Sequence, residues 1–286
     1  MQEEKVPVRQ LGKVGTTVLV GVALLVCYAL TWIMFLNEGH PAMSTRSSVK
    51  NGVALVGHVI AADLAKDTIT LSLLPDVTSP GLLVNRGLSQ DIEVEIDTTL
   101  TVLSHKFKKG EPPLAWVVTL PIQDGDLTEF PIDNYIGGFT LKAGIAGGEK
   151  SAPKLIIDKV LHGYKFKASS DANLANAEAQ IEFSLSRSPA VIFLAVMAML
   201  SLTIVVCSAV IVAWQVAVKG RKLEFGMMVW MAALLFVIPA VRGSIPGSPP
   251  PGAMVDVGLF FWLHVLAVVS LLTLVATWVK NKPALA

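Results

Sequence analysis

This chain is short of cysteine, tyrosine and charge. It has two cysteines and three tyrosines in 286 residues, and 16% of its residues are Asp, Glu, Lys or Arg. Cys27 and Cys207 both fall inside apolar runs, where a free cysteine behaves as a small hydrophobe. None is left for the hydrophilic middle, so no disulfide framework holds that part together. A net charge of +1 supplies no basic face for a phosphate backbone, which excludes nucleic acid as a partner. The Asn-x-Ser/Thr signal occurs nowhere and nothing repeats at a solenoid period. A bacterial plasma membrane is the simplest setting for such a chain.

Apolar residues are what the chain has in quantity. They make up 53% of it, with a mean hydropathy of +0.61, too much for a purely soluble domain. Residues 14–36, 189–218, 223–241 and 257–279 form four runs. Each is long enough to cross a bilayer, which takes about 20 apolar residues. The first is too long for a signal-peptide core and no A-x-A site follows it, so it is read as an uncleaved anchor. Lys5, Arg9, Lys13, Lys219, Arg221, Lys222, Lys280 and Lys282 fall on one side of these spans, against Arg242 alone in the short hairpin on the other. The positive-inside rule places the tails 1–13 and 280–286 and the turn 219–222 in the cytoplasm. Residues 37–188 and the Pro/Gly-rich hairpin 242–256 are expected outside.

Residues 37–188 carry 14 basic and 18 acidic side chains, a net of −4. Their patterning is strand-like. Residues 67–73, 91–97 and 181–186 alternate apolar and polar, and extended runs cover 53–61, 100–104, 113–120, 139–143, 155–161 and 164–168. Turn residues at Lys108-Lys109-Gly110, Asp124-Gly125-Asp126 and 144–148 separate them. Residues 169–179, rich in Ala and Asn, are expected to form a loop or one helical turn. About eight to ten short strands without a long amphipathic helix predict an antiparallel β-sandwich. The expected fold class is a membrane protein of α+β type. It has one N-terminal transmembrane anchor, an extracytoplasmic antiparallel β-sandwich and a C-terminal three-helix transmembrane bundle.

The candidate sites are few. Asp91, Glu93, Glu95 and Asp97 share one strand face, but a flat strand cannot wrap a calcium ion and Lys106, Lys108 and Lys109 lie on a segment able to pair with it. A solvated face is the expectation there, and a hairpin turn at Asp124-Gly125-Asp126. His40, His58, His105 and His162 lack metal-type spacing, and no nucleophile setting such as G-x-S-x-G accompanies them. No catalytic group, metal or cofactor is therefore expected. His264 lies in the last span, roughly 10 Å below its outer end. An ionisable group at that depth is a functional candidate, and the plainer reading is an imidazole bonded to Ser201, Thr203 or Ser208 of a neighbouring helix. Gln215 near the inner end of the second span takes the same plain reading.

Two stretches stand out as interface candidates. In Phe130-Pro131-Ile132-Asp133-Asn134-Tyr135, proline fixes φ and Asp133 can bond its own backbone, locking a turn flanked by aromatics. The Phe-Pro-x-Asp motif is similar to the membrane-facing loop of pentameric ligand-gated channels. The cysteine pair that brackets the loop there is absent here and an anchor precedes the domain. The likeness implies a turn resting on the membrane or on the hairpin. In the hairpin, Pro246, Pro249, Pro250 and Pro251 make a stiff connection between Arg242 and Asp256. Asp256 is a plausible N-cap for the last helix and can pair with Arg242 at the head-group level. The hairpin either staples its two helices or offers a platform for the outside domain or a partner.

The order of anchor, β-rich domain with Phe130-Pro131-x-Asp133-x-Tyr135, then three spans with Pro239-x-x-Arg242, Pro246-Gly247-x-Pro249-Pro250-x-Gly252 and Asp256, resembles the family of domain of unknown function 4436. Phe130 stands where a tyrosine is expected in that pattern. The resemblance covers nearly the whole chain. It implies a polytopic plasma-membrane protein of largely actinobacterial distribution, and no activity comes with it.

The expected role is that of a non-enzymatic accessory or scaffold in a cell-envelope complex. It would contact the lipid bilayer and a membrane-protein partner of unknown identity. A ligand-binding receptor or sensor is the first alternative, and an oligomeric channel or transporter subunit the second.

Overall fold

A computed structural model of the chain describes residues 22, 25–33, 36, 43–44, 53–76, 83–84, 87–145, 153–159, 161–173, 178–247 and 249–280. The strand-like middle forms two five-stranded sheets packed face to face, and the C-terminal part is a bundle of three long helices.

The strands are β1 (Met43–Ser44), β2 (Ala54–Asp63), β3 (Thr68–Pro75), β4 (Leu83–Val84), β5 (Gly87–Leu88), β6 (Ile92–Asp97), β7 (Val102–Phe107), β8 (Trp116–Pro121), β9 (Asn134–Ile145), β10 (Lys154–Lys159), β11 (Tyr164–Asn173) and β12 (Glu178–Arg187). One sheet runs β1-β10-β2-β3-β8 and the other β11-β12-β9-β6-β7, with β4 and β5 paired apart. All pairs are antiparallel except β10 with β2, which is parallel. That exception corrects the all-antiparallel expectation: β10 enters the first sheet from a long connection after β9, so no tight hairpin fixes its direction.

The period-2 patterns explain the layering. Leu55, Ile69, Leu71, Leu73, Ile92, Val94, Ile96, Leu120, Leu141 and Leu185 alternate with outward residues and fill the space between the sheets. The ring of Phe183 stacks on Phe166 at 5.6 Å and leans on Phe139. Of residues 169–179, those at 169–173 and 178–179 differ from expectation, and 174–177 lie outside the described residues. Instead of a loop or helical turn, β11 continues to Asn173 and β12 starts at Glu178, paired through Asn173 opposite Glu178. Small polar residues have low strand propensity, but a ladder already set by Tyr164 opposite Arg187 carries them along.

Asp124-Gly125-Asp126 is likewise no hairpin. It lies on the passage from β8 in one sheet to β9 in the other. Asp124 bridges Ile136, and the Asp126 carboxylate accepts the Thr128 N–H to cap a short 3₁₀ turn at Leu127–Glu129.

The helices are α1 (Pro189–Ala217), α2 (Phe225–Gly243) and α3, which opens as a π-turn at Asp256–Phe260 and continues as α-helix through Phe261–Lys280. All three are long and apolar enough to cross a membrane. Ser188 caps α1, its hydroxyl accepting the Val191 N–H, with Pro189 in the first helical position where its missing N–H is harmless. α3 packs against both other helices. Small residues at the seam (Ala195, Ala209 and Ala213 on α1, Ala267 and Ser270 on α3) let the backbones approach closely. Relative to the expected spans, α2 extends two residues further and takes Arg242 into its last turn. The expected first span lies mostly outside the described residues. Of it, residues 25–33 are helical and Leu25, Tyr28 and Trp32 are exposed.

Candidate functional site

The end of the sandwich meets the end of the bundle at Arg187, the last residue of β12 and two residues before α1. Its side chain is 2% exposed and faces Asp133, whose side chain is 0% exposed. Arg187 Nε donates to both Asp133 oxygens, at 2.9 and 3.2 Å. One terminal nitrogen donates to the Tyr164 hydroxyl at 3.0 Å and to the Gly247 carbonyl at 3.2 Å. The guanidinium also lies over the rings of Phe130 and Tyr164, at 5.3 and 5.0 Å. The Tyr135 hydroxyl donates to Asp133 at 2.8 Å. Burial, and then that bond to Asp133, push the Tyr135 phenol well above its ordinary range. Burial raises the Tyr164 phenol too.

One arginine thus ties three parts of the chain together: the Phe130–Tyr135 loop, the β12–α1 junction and the hairpin. Phe130 carries the contact further. Although it belongs to the sandwich, it is fully buried in the apolar core of the bundle with Ile245, Ala253 and Val255. The hairpin accepts it because Gly247 has no side chain. A Cβ there would lie 2.9 Å from the Phe130 ring and 2.8 Å from Arg187, and its φ of +96° suits glycine.

The loop expected to rest on the membrane or on the hairpin rests on the hairpin. Phe130, Pro131, Asp133 and Tyr135 are all buried: Phe130 packs into the bundle, Tyr135 lies in the sandwich core and Asp133 holds the arginine that reaches the hairpin. Ile132, between them, is 67% exposed.

A second polar cluster fixes the hairpin itself. Arg242 donates through Nε and a terminal nitrogen to the two oxygens of Asp256, at 2.8 and 2.7 Å. It also donates to the carbonyls of Pro249 and Pro250, at 2.9 and 2.7 Å. The prolines withhold N–H groups, but their carbonyls remain to be bound. The Gly252 N–H donates to Asp256 at 2.8 Å. Asp256 therefore closes the turn, and the expected N-cap role is not what the geometry gives: the carboxylate points back to Arg242, and the residue is itself the first of the π-turn. Pro249 is buried and Pro246 and Pro250 are half-buried.

Below this cluster, Arg242, Asp256 and His264 line a pocket of about 360 Å³ with Ile238, Pro239 and Phe260. The hydroxyls expected to hold His264 bond their own helix instead: Ser201 to Ala198, Thr203 to Met199 and Ser208 to Ile204. A helical Ser or Thr reaches its own preceding turn more readily than a neighbouring helix.

On the sandwich, β6 pairs with β7 as the lysine placement suggested, Glu93 lying opposite Lys106. Lys106 binds Asp91 at 2.7 Å. That bond, then the Lys109 N–H, hold the Asp91 carboxyl below its usual range. Lys142 binds Glu178 at 2.7 Å with Glu95 at 3.9 Å.

Arg187 and Tyr164 are absent from the residues singled out from sequence. The available signal was positional: a lone arginine between a strand pattern and a Ser-Pro helix start, in a chain whose conspicuous turn contains an aspartate.

Residues 43–183 match the family described as domain of unknown function 4436, over the sandwich. The sandwich domain belongs to that family. The match ends just short of Arg187, and residues 187–281, the bundle, match a second family, domain of unknown function 8686. The resemblance expected over nearly the whole chain is thus divided between two families, at the strand-to-helix junction. Comparison with curated proteins finds no match.

Proposed function

We propose that this DUF4436 protein is a multi-pass plasma-membrane accessory or scaffold protein without catalytic activity, whose sandwich and bundle act as one rigid body. The observation that carries this reading is the Arg187 cluster. A carbonyl bond from Arg187 across to the hairpin and an inserted Phe130 fasten the sandwich to the bundle at two points, and the buried ion pair with Asp133 holds the arginine in place. A fastened domain presents a fixed outer surface, which suits a scaffold.

The surface offered to a partner lies along the free edges of the sheets. β7 and β8 are edge strands, linked by the stack of His105 on Trp116 at 5.4 Å. Leu100, Val102, Leu114 and Val117 on or beside them are 55–79% exposed. Exposed apolar groups on edge strands invite association.

In the topology we propose, residues 14–36 anchor the N-terminus, both termini are cytoplasmic and the sandwich is extracytoplasmic. The eight basic residues on one side of the spans support it. Pull-down of the tagged chain from its native membrane in mild detergent, beside Leu114→Asp and Val117→Asp, tests the reading. A hetero-complex lost in both variants is the expected result. Recovery of only a symmetric homo-oligomer would sink it.

A ligand-responsive receptor is the second reading, favoured by the same cluster, since Arg187 adjoins the Ser188 cap of α1 and would pass a sandwich movement directly to that helix.

A further inference from the structure

We propose that the pocket between α2 and α3 is a binding site for a membrane lipid with an uncharged, hydroxyl-bearing head. The proposal rests on the bundle lying in a bilayer, with the pocket in the leaflet nearest the sandwich. It does not depend on the scaffold role.

Three features converge on the pocket. Pro239 lies inside α2 there, with no N–H for the carbonyl of Leu235. The π-turn Asp256–Phe260 widens α3 on the other wall, and such turns occur often at binding sites. His264 lines the floor and makes no hydrogen bond with the described residues. The proline leaves the Leu235 carbonyl without its usual helical donor and His264 leaves its ring unmatched, at a depth where water is scarce, and membrane proteins keep such groups where something answers them.

The charges decide what kind of head fits. Arg242 and Asp256 neutralise each other through two short bonds, and the arginine's remaining bonds go to two carbonyls. An anionic phosphate head would find no free cation, and an amine no free carboxylate. In its uncharged form the His264 imidazole offers one donor and one acceptor, which a hydroxyl matches from both sides. Ile238, Pro239 and Phe260 supply apolar wall for the chain attached to that hydroxyl. The volume of about 360 Å³ is at the lower end of the range for small-molecule sites, enough for the head and the first part of a chain.

The test uses the full-length protein in phosphatidylcholine nanodiscs with two photoreactive lipids bearing the same chains, a diacylglycerol and a phosphatidic acid. Cross-links are mapped by mass spectrometry to the segments holding Ile238 and His264. The diacylglycerol should label these segments in preference to phosphatidic acid. His264→Leu should reduce that labelling about five-fold, the worth of one hydrogen bond, while His264→Gln retains it. Ile238→Trp, which fills the pocket, should abolish it, with thermal unfolding of each variant measured to confirm folding. Equal labelling by the two lipids, preference for phosphatidic acid, or labelling indifferent to both His264→Leu and Ile238→Trp would overturn the proposal. Carbonate extraction separates this from failure of the membrane reading, since a chain that leaves the membrane fraction fails that reading first.

Discussion

Replacing Arg187 by alanine should separate the sandwich from the bundle energetically. In the native chain Asp133 is fully buried and receives Nε of Arg187 and the hydroxyl of Tyr135. Without the arginine, a carboxylate stays in a closed apolar setting with one neutral donor, and the Gly247 carbonyl and Tyr164 hydroxyl lose their bonds. Breaking a buried pair from one side costs about 3–5 kcal/mol, because the orphaned charge keeps its desolvation penalty. That is a large share of the roughly 5–15 kcal/mol that separates a folded domain from its unfolded chain. Arg187→Lys should fall between, since one ammonium cannot reach Asp133, Tyr164 and Gly247 in the arginine's geometry.

The double variant Asp133→Leu with Arg187→Met removes both charges and should recover about 2 kcal/mol of the single variant's loss, the Gly247 carbonyl and the Tyr164 and Tyr135 hydroxyls remaining unmatched. Denaturant unfolding in detergent, followed through tryptophan fluorescence, reads the stability. Limited proteolysis between β12 and α1 reads the coupling. An Arg187→Ala protein within about 1 kcal/mol of the native one would refute the account, because a pair that inaccessible cannot be removed from one side at the cost of a surface bridge.

Tyr135 predicts a pH dependence. Its phenol is raised in the folded chain above the ordinary value of 10.0, so below that pH it is neutral in both states and folding is unaffected by its titration. Above it the unfolded chain ionises first and stability falls as pH rises. Unfolding midpoints from pH 8 to 11 (roughly the range spanning the ordinary phenol value) should therefore decline less steeply in Tyr135→Phe than in the native protein, and parallel declines would contradict this. The two hairpin glycines with positive φ, Gly247 and Gly252, offer a matched comparison. Gly247→Ala meets both Arg187 and Phe130, whereas Gly252→Ala at φ +88° meets nothing within 4 Å. Gly252→Ala should cost about 1 kcal/mol of backbone strain, and Gly247→Ala clearly more, in thermal unfolding. Similar losses for the two would mean that the sandwich does not seat on the hairpin.

Much of the architecture was legible in the residues. Alternation at 67–73, 91–97 and 181–186 marked strands because side chains of a half-buried strand must face two solvents in turn. The three C-terminal runs marked helices because an apolar run of that length, carrying at most Glu224 at one edge, has no other stable form in a bilayer. Residues 169–173 and 178–179 were illegible because their composition argues for a loop while the neighbouring ladder holds them extended. The turn at Phe130-Pro131-x-Asp133-x-Tyr135 could be picked out, but its partner could not.

The sequence by itself determined a strand-rich domain joined to apolar helices, with a Pro/Gly hairpin that sets Arg242 within reach of Asp256, since all of these follow from periodicity or from short separations along the chain. Only the tertiary structure decided that β10 lies parallel to β2, that α3 opens with a π-turn beside Pro239 and His264, and that Arg187 joins Asp133, Tyr164 and Gly247. Those contacts span up to 60 residues. Nothing in the pattern around an arginine states which distant carboxylate or carbonyl will be folded against it. That is fixed when two sheets and three helices bury their apolar faces at once and bring Asp133, Tyr164 and Gly247 to the end of β12.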